Sequence, residues 1–459
     1  MGNFVKFRKS VMFAVKVLIV AAVTLGFIEV WNTCYVDTLF SKNGNLVVVF
    51  AYIFIFVTFA SLYSAFNIGI HRIHETIYSF SLAAVFIDFV MYLILCLIAR
   101  KMVSIPPMAF CIAYQVAIIF LSCLCANVIY FKLHAARKVI AIFGDEQTGF
   151  NLINKMRSMP ERFSVECGVN ASTTDIDSIK KLIDKYEAVI ICDIDKNKEK
   201  EIFSYCYSQQ KRTYLLPAIT DIIINNSYEI QISDTPVLMS RNRGLTTEQE
   251  IIKRVMDIVI SLIAIIVSSP FMIICAVAIK LNDGGPVFFR QNRVTKNGKI
   301  FNVLKFRSMV VDAEKKGALK ATDNDDRITK VGHIIRACRM DELPQFFNIL
   351  KGDMSVVGPR PERIENVYEY SKAYPEFDLR HRVKGGLTGY AQIYGKYNTS
   401  PEDKLNMDLI YIETYSVLQD IKLLILTIKI LFMKESTEGF DTSANKNVKT
   451  SKSLRENNE

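Results

Sequence analysis

The chain has 459 residues, which is too long for one ordinary domain and predicts two or three folded units. Its hydrophobic fraction of 51% is concentrated in the first third of the chain and excludes a wholly soluble protein. The formal net charge of +10 comes from basic residues spread among acidic ones, without a nucleic-acid-binding module. Attraction to anionic lipid headgroups and phosphorylated substrates explains this charge more economically than nucleic acid does.

Four apolar stretches of about 20 residues, the length of a helix that crosses a bilayer, come first along the chain. They cover residues 11–31, 45–66, 77–98 and 108–131. The first stretch is too long for the core of a signal peptide, and no convincing cleavage site follows it. The sequence therefore predicts a transmembrane domain of four helices over residues 1–135.

Basic residues predict the orientation of these helices, because positive charge favours the cytoplasmic side. The residues that follow this rule lie before the first helix, between the second and third, and after the fourth: Lys6, Arg8, Lys9, Arg72, Lys132 and Arg137. Arg100 and Lys101, between the third and fourth helices, depart from it. We expect a multi-pass protein whose N-terminus and whose residues after 132 face the cytoplasm.

Residues 136–245 alternate short apolar strands with helical segments, which predicts a cytoplasmic parallel-sheet domain of Rossmann-like topology. The predicted strands are 138–143, 188–193, 213–217 and 236–239. The glycine turn at 144–149 is not G-x-G-x-x-G, so a close backbone approach to a pyrophosphate is not ensured. A regulatory or assembly role is favoured over dinucleotide binding.

A different apolar segment covers residues 252–280 and is interrupted by Ser269 and Pro270. It is either a fifth, proline-kinked span or a re-entrant helix that bends at these two residues and returns. Basic residues flank both ends, and a true span would move the rest of the chain outside, so the re-entrant form is favoured. Hydroxyls of Ser268 or Ser269 can bond the carbonyls freed near the bend.

The remainder is globular in composition, and a catalytic domain is predicted over residues 249–434. Apolar clusters in 405–433 are interrupted by charges and predict amphipathic helices at the membrane interface. The polar tail 435–459 is predicted to be disordered. The ten cysteines show no C-x-x-C pairing and are interpreted as reduced core residues, not as a disulfide or zinc framework.

Asp341 and Glu342 form an acidic pair within a run that also carries Arg336 and Arg339. From the residues alone, two interpretations are open. Asp341 could cap a helix over residues 342–351, or the pair could perform carboxylate chemistry on a phosphorylated substrate. Helical spacing would make Arg336, Arg339 and Glu342 neighbours, which could amount to a surface ion pair only.

Cations elsewhere in this region could bind a diphosphate. Lys305 and Arg307 are two residues apart on a predicted strand, so their side chains would emerge on one face, although a solvated strand edge explains them equally well. Arg360 lies between Pro359 and Pro361, which restrict its backbone. A rigidly presented guanidinium suits bidentate phosphate recognition.

Six motifs, in order, resemble those of the bacterial sugar transferase family, the phosphoglycosyl transferases with a monotopic core. They are K-R-x-x-D from Lys253, the Ser-Pro break, K-F-R-S-M from Lys305, R-x-x-x-x-D-E-L-P-Q from Arg336, G-D-M-S-V-V-G-P-R-P from Gly352 and G-L-T-G-Y-A-Q from Gly386. The N-terminal part resembles the larger, multi-span members. The resemblance implies an α/β transferase domain with a re-entrant helix, on the cytoplasmic side of a bacterial inner membrane.

The resemblance also implies the reaction, which is transfer of a sugar-1-phosphate from a UDP-sugar to polyprenyl phosphate at the start of capsule, exopolysaccharide or O-antigen synthesis. It implies that Asp341 is the nucleophile of a covalent phosphosugar intermediate and that Glu342 coordinates Mg²⁺. The implied phosphate- or substrate-binding residues are Lys305, Arg307, Arg336, Arg360 and Asp408, with no specific role for the last. Membrane lipids and a second copy of the chain are the other expected partners.

Two residues depart from the family pattern. Arg339 stands where many members carry a small or hydroxyl residue, and Gly385 stands where proline commonly precedes the glycine. Two alternatives remain open, namely an inactive membrane scaffold or nucleotide-sensing regulator of polysaccharide assembly, and a polytopic transferase without a covalent intermediate. The sequence does not determine the sugar, and glucose or galactose is expected from family analogy.

Overall fold

The computed structural model describes residues 2–35, 44–240, 244–311, 313, 325–395 and 399–431. The predicted tail at 435–459 lies outside the described residues. The chain divides into two compact units, Met1–Ala218 and Ile219–Glu459. Residues 219–245, which the sequence assigned to the Rossmann-like domain, therefore belong to the second unit.

The first unit begins with four long apolar helices, at the positions predicted from the sequence. They are α1 (Gly2–Cys34), α2 (Gly44–Leu62), α3 (Ile73–Ala99) and α4 (Pro106–Leu133). Each contains a stretch long and apolar enough to cross a membrane. Large hydrophobic side chains such as Phe13, Phe54 and Phe110 are exposed on them, as a lipid-facing surface requires.

A four-stranded parallel sheet completes the first unit. Its elements are β1 (Arg137–Phe143), α5 (Glu146–Arg157), β2 (Phe163–Asn170), α6 (Ile176–Ile183), β3 (Ala188–Cys192), α7 (Lys196–Ser208) and β4 (Arg212–Leu215). The strand order is β2-β1-β3-β4, the beginning of the flavodoxin-like doubly wound order. β3 is buried along its whole length, as expected for a central parallel strand between helices.

The second unit contains the other helices and several short strands. They are α8 (Ile219–Asn225), β5 (Tyr228–Ile232), β6 (Thr235–Met239), α9 (Thr247–Asp283), β7 (Phe288–Val294), β8 (Ile300–Phe306), α10 (Lys330–Ala337), α11 (Gln345–Lys351), β9 (Ser355–Val357), α12 (Ile364–Ala373), β10 (Gly386–Thr388), α13 (Tyr390–Tyr394), α14 (Pro401–Glu413) and α15 (Val417–Leu431). The pairs β5–β6 and β7–β8 are antiparallel, whereas β9 and β10 are parallel. The predicted strand at 236–239 is thus part of a hairpin and not of the larger sheet.

The main core of the second unit joins strands and helices from distant parts of the sequence. Phe301 of β8 and Val356 of β9 pack in it together with Leu405 and Leu409 of α14. The interfacial position predicted for residues 405–433 is therefore wrong for α14, since its apolar side chains fill the protein core and are not available to lipid.

α9 is a single helix of 37 residues, whose rise measured along its own axis is about 55 Å at 1.5 Å per residue. Thr246 caps its start and Gly284, in the left-handed conformation, follows its end. Pro270 lies within it and cannot donate to the Ile266 carbonyl four residues earlier. The Ser269 hydroxyl donates to that carbonyl instead, at 2.8 Å, which confirms the expected compensation.

Both ends of α9 are attached to the rest of the second unit. Near its start, Lys253 Nζ and Asp420 Oδ2 of α15 form a buried ion pair at 2.5 Å. Near its end, Cys275 and Ile279 pack against Phe306 and other apolar side chains. The middle of the helix carries exposed leucine, isoleucine and valine side chains.

Lys253→Met should destabilise the second unit by about 3–5 kcal/mol, because it leaves the buried Asp420 carboxylate without its cation. Lys253→Met combined with Asp420→Leu should recover most of this loss, since both charges are then removed together. Denaturant unfolding of the full chain in micelles measures both variants. Equal losses in the single and double variants would contradict the ion pair as the cause.

Candidate active site

The acidic pair lies in a 3-10 turn, Met340–Glu342, between α10 and α11. Arg339, just before it, has a left-handed φ of 52°, so the chain changes direction after α10. The expectation that Asp341 caps a helix is wrong, because α11 begins only at Gln345 and no side chain caps it. The turn therefore leaves the Asp341 carboxylate without a capping role.

Glu342 is shared by two cations from different parts of the unit. Lys305 Nζ on β8 donates to Glu342 Oε1 at 2.7 Å, and Arg360 Nη2 donates to the same oxygen at 3.0 Å. Burial by itself would raise the pKa of Glu342, but the two positive charges outweigh burial and hold this pKa well below its usual range. Glu342 is therefore ionised, and no described residue donates to its Oε2.

Asp341 has the opposite electrostatic character. Burial raises the pKa of its carboxyl group above the usual range, and the negative charge of Glu342 adds to this shift, although Lys305, Arg336 and Arg360 oppose it. No described residue donates a hydrogen bond to the Asp341 carboxylate. Two adjacent carboxyl groups whose pKa values move in opposite directions can take different roles in one reaction.

Arg336 lies in the last turn of α10, four residues before Met340, where the acidic turn begins. Its charge lowers the pKa of Asp341, so the two groups lie close enough to interact. The helical arrangement predicted for Arg336, Arg339 and Glu342 is wrong, because the backbone turns at Arg339. Within the described ranges, Arg336 forms no ion pair with a carboxylate, which leaves its guanidinium free for a ligand.

Arg307 does not share a site with Lys305, although the two are only two residues apart. Both terminal nitrogens of Arg307 donate to the Asp283 carboxylate at the end of α9, one of them at 2.8 Å. Arg307 is also buried. Its charge is thus compensated inside the protein, and the structure shows it attaching α9 to β8.

The loop that carries Arg360 is held by two further arginines. Arg380 Nη2 donates to the Arg360 carbonyl oxygen at 2.9 Å, and Arg293 Nη1 on β7 donates to the Pro361 carbonyl oxygen at 3.0 Å. The loop is therefore restrained by hydrogen bonds as well as by its prolines. Burial lowers the pKa of Arg293, and the nearby charge of Arg360 adds to this.

Asp408 lies in the core and not on an open surface. Arg380 Nε donates to Asp408 Oδ2 at 3.0 Å, and Arg380 Nη2 lies 2.7 Å from the same oxygen. Burial raises the pKa of Asp408 to about 6, although the charge of Arg380 opposes this. The structure thus connects Asp408 to the Arg360 loop through Arg380 and gives it no direct opening to a substrate.

Sequence reasoning did not single out Arg293 or Arg380. Arg293 lies on a strand with three other polar residues, and Arg380 belongs to a basic run together with Arg382 and Lys384. Runs of polar or basic residues such as these are also typical of a solvent-exposed surface, so they do not indicate a buried arginine. The burial of Arg380 at 2% exposure is visible only after folding.

The donor set fits Mg²⁺ only together with a phosphorylated substrate. Among the described residues, no group of three or more His, Cys, Asp or Glu side chains could hold a metal. Mg²⁺ usually keeps several waters and binds through one or two carboxylates and the substrate's phosphates. Glu342 Oε2 and the Asp341 carboxylate are such donors.

Comparison with known proteins identifies the family of the segment that contains this site. The family model described as bacterial sugar transferase matches residues 248–434. A UDP-N-acetylgalactosamine-undecaprenyl-phosphate N-acetylgalactosaminephosphotransferase of Aeromonas hydrophila is 46% identical over 181 residues, covering 39% of this chain and 43% of that protein. A UDP-glucose:undecaprenyl-phosphate glucose-1-phosphate transferase of Escherichia coli K12 is 33% identical over 313 residues, covering 64% and 67%. The chain therefore belongs to the bacterial sugar transferase family.

The matches place the site within the shared region. The galactosyl transferase CpsE of Streptococcus agalactiae is 40% identical over 195 residues, covering 40% of this chain and 42% of that protein. The chain thus spans about half the length of several curated relatives that it matches. The matched segment 248–434 includes α9, the acidic turn and the Arg360 loop.

Arg307→Met should destabilise the second unit by about 1–3 kcal/mol, because it removes the charged donor that holds the Asp283 carboxylate. Arg336→Met is the matched control and should change stability by no more than about 0.5 kcal/mol. Denaturant unfolding in micelles compares the two. Equal stability of both variants would show that the Arg307–Asp283 pair does not hold α9.

Proposed function

We propose that this protein transfers a sugar-1-phosphate from a UDP-sugar to polyprenyl phosphate on the cytoplasmic face of a bacterial inner membrane. The observation that carries the proposal is the acidic turn, where the unpartnered Asp341 carboxylate adjoins Glu342, itself held by Lys305 and Arg360. The printed names of the Aeromonas and Escherichia relatives describe sugar phosphotransfer to undecaprenyl phosphate and support the proposal. The pathway would be capsule, exopolysaccharide or O-antigen synthesis.

In the first step, an oxygen of the Asp341 carboxylate attacks the phosphorus that carries the sugar. A bond forms between that oxygen and phosphorus, the diphosphate bond breaks, and UMP leaves with the bonding electron pair. Arg360 and Lys305 lie where they can compensate the phosphate charge, and Glu342 would hold Mg²⁺, which supplies further charge compensation at the diphosphate.

In the second step, a phosphate oxygen of the lipid attacks the phosphorus of the aspartyl phosphosugar. The bond to Asp341 breaks, the carboxylate is regenerated, and a polyprenyl diphosphosugar leaves. The covalent route replaces one difficult displacement by two easier ones. Arg336, on the approach to the acidic turn, is the cation we assign to the incoming lipid phosphate.

The architecture that we propose has four spans followed by a re-entrant α9. Lys253 and Cys275, at opposite ends of the exposed middle of α9, both contact the second unit. A full crossing of the hydrocarbon core, about 30 Å thick, would separate these attachment points by the membrane. A helix that enters and returns keeps both on one side. The Rossmann-like domain and a homodimer remain predictions.

An inactive scaffold is the alternative function. The intact acidic turn with its paired cations argues against it, because a regulator has no need of an unpartnered, partly buried carboxylate beside an ionised one. Measuring UMP release from a panel of UDP-sugars distinguishes the two functions and identifies the sugar. The names of the relatives make glucose, galactose and N-acetylgalactosamine the first sugars to test.

Asp341→Asn should lower sugar-phosphate transfer by at least about 10³-fold, because the amide cannot form the intermediate. Asp326→Asn, an exchange at an exposed position outside the turn, is the matched control and should retain activity. Labelled UDP-sugar and undecaprenyl phosphate measure transfer, and mass spectrometry detects the adduct on Asp341. Wild-type transfer by Asp341→Asn would exclude the nucleophile assignment.

The kcat/KM for UMP release should fall as the pH falls. The apparent pKa of this acid limb of the pH profile should lie above the usual aspartate pKa of about 3.9. The reason is that burial raises the pKa of Asp341, and only the ionised carboxylate attacks. Arg336→Met should move this limb to still higher pH, because it removes a charge that lowers the pKa of Asp341. An unmoved limb would contradict this coupling.

A further inference from the structure

Arg380 links the core of the second unit to the Arg360 loop. Its Nε and Nη2 pair with Asp408 Oδ2 at 3.0 and 2.7 Å, and its Nη2 also donates to the Arg360 carbonyl oxygen at 2.9 Å. Arg380 is 2% exposed and Asp408 is 1% exposed. A planar guanidinium in such a setting serves fixed acceptors in fixed directions, which a lysine ammonium cannot reproduce.

The base of this link is rigid. Asp408 lies on α14, whose Leu405 and Leu409 are fully buried in the core. The Arg380 guanidinium also lies 4.9 Å from the centre of the buried Phe377 ring. Movement of Arg380 would therefore require a close-packed core to rearrange.

Arg293 acts on the next residue of the same loop. Its Nη1 donates to the Pro361 carbonyl oxygen at 3.0 Å, and its Nη2 donates to Gln291 Oε1 at 2.7 Å. Two consecutive carbonyl groups of the loop, at Arg360 and Pro361, thus each accept a hydrogen bond from an arginine side chain. The backbone is fixed by the protein, while the Arg360 side chain remains 40% exposed beside Glu342.

We propose that Arg380 is a positioning residue for the transfer reaction. Through the Arg360 carbonyl it fixes the backbone from which the Arg360 guanidinium reaches Glu342 and, on the proposed function, the substrate diphosphate. Arg293 supports the same loop from β7. A guanidinium displaced by about 1 Å can cost about 100-fold in rate, so a residue that never touches substrate can control the reaction.

Arg380→Lys tests this role while retaining the positive charge that compensates Asp408. The lysine side chain ends one bond short of the Nη2 atom that contacts both Asp408 and the Arg360 carbonyl, so kcat/KM for the UDP-sugar should fall by about 100-fold. In an Arg360→Lys background the same exchange should change kcat/KM by no more than about twofold, because the group being positioned has already been replaced. If Arg380 only stabilised the fold, Arg380→Lys would lower kcat/KM equally in the wild-type and Arg360→Lys backgrounds.

Arg254→Lys is the matched control. Arg254 donates to the Ile349 and Leu350 carbonyls, both at 2.6 Å, and so is also an arginine that holds backbone oxygens in this unit. Its effect should be the same in the wild-type and Arg360→Lys backgrounds. Equal losses from Arg380→Lys in both backgrounds would overturn the proposal.

Two substitute experiments cover the cases in which a variant does not fold or the enzyme assay gives no signal. Where Arg380→Lys fails to fold in micelles, Arg293→Lys takes its place in the same cycle, with the same expected loss of effect. Where the wild-type protein releases no UMP from any UDP-sugar, the proposed function fails. The cycle is then measured with dissociation constants for UDP, and equal changes in both backgrounds again overturn the positioning role.

Discussion

The shared carboxylate of Glu342 is the interaction on which the candidate site depends. One oxygen accepts hydrogen bonds from Lys305 and Arg360, which come from β8 and from the loop after β9. With Arg336, whose charge also acts on Asp341, three cations face two carboxylates in a partly buried setting, where electrostatic interactions are stronger than in water. Such an arrangement suits a diphosphate, and the neighbouring Asp341 carboxylate accepts no hydrogen bond from a described residue.

The same site is coupled to α9, which is long and apolar enough to cross a membrane. Met340 directly precedes the acidic pair, and its sulfur lies 3.8 Å from Cys275 Sγ on α9. Arg307 ties the end of that helix to the strand that carries Lys305. The acidic turn is thus built against this apolar helix, which supports the proposed transfer to a lipid phosphate.

Local patterns predicted some elements well and others poorly. The long apolar stretches and the strands β1 and β3 were predicted because their hydrophobic runs are continuous, as buried helices and central parallel strands require. β2 was missed, since only Val169 of its residues is buried and the strand includes the exposed Glu166 and Gly168. The helix expected from residue 342 begins later, because the left-handed Arg339 and a 3-10 turn precede it.

The sequence by itself determined the membrane class, the order of the motifs and the identity of the acidic pair, because apolar length and motif spacing are properties of the linear chain. Only the tertiary structure decided which charges meet. Lys305 pairs with Glu342, Arg307 with Asp283, and Arg380 with Asp408. These partners are 24 to 37 residues apart in sequence. Pairing of this kind depends on distance and burial in the folded chain, which spacing along the chain does not encode.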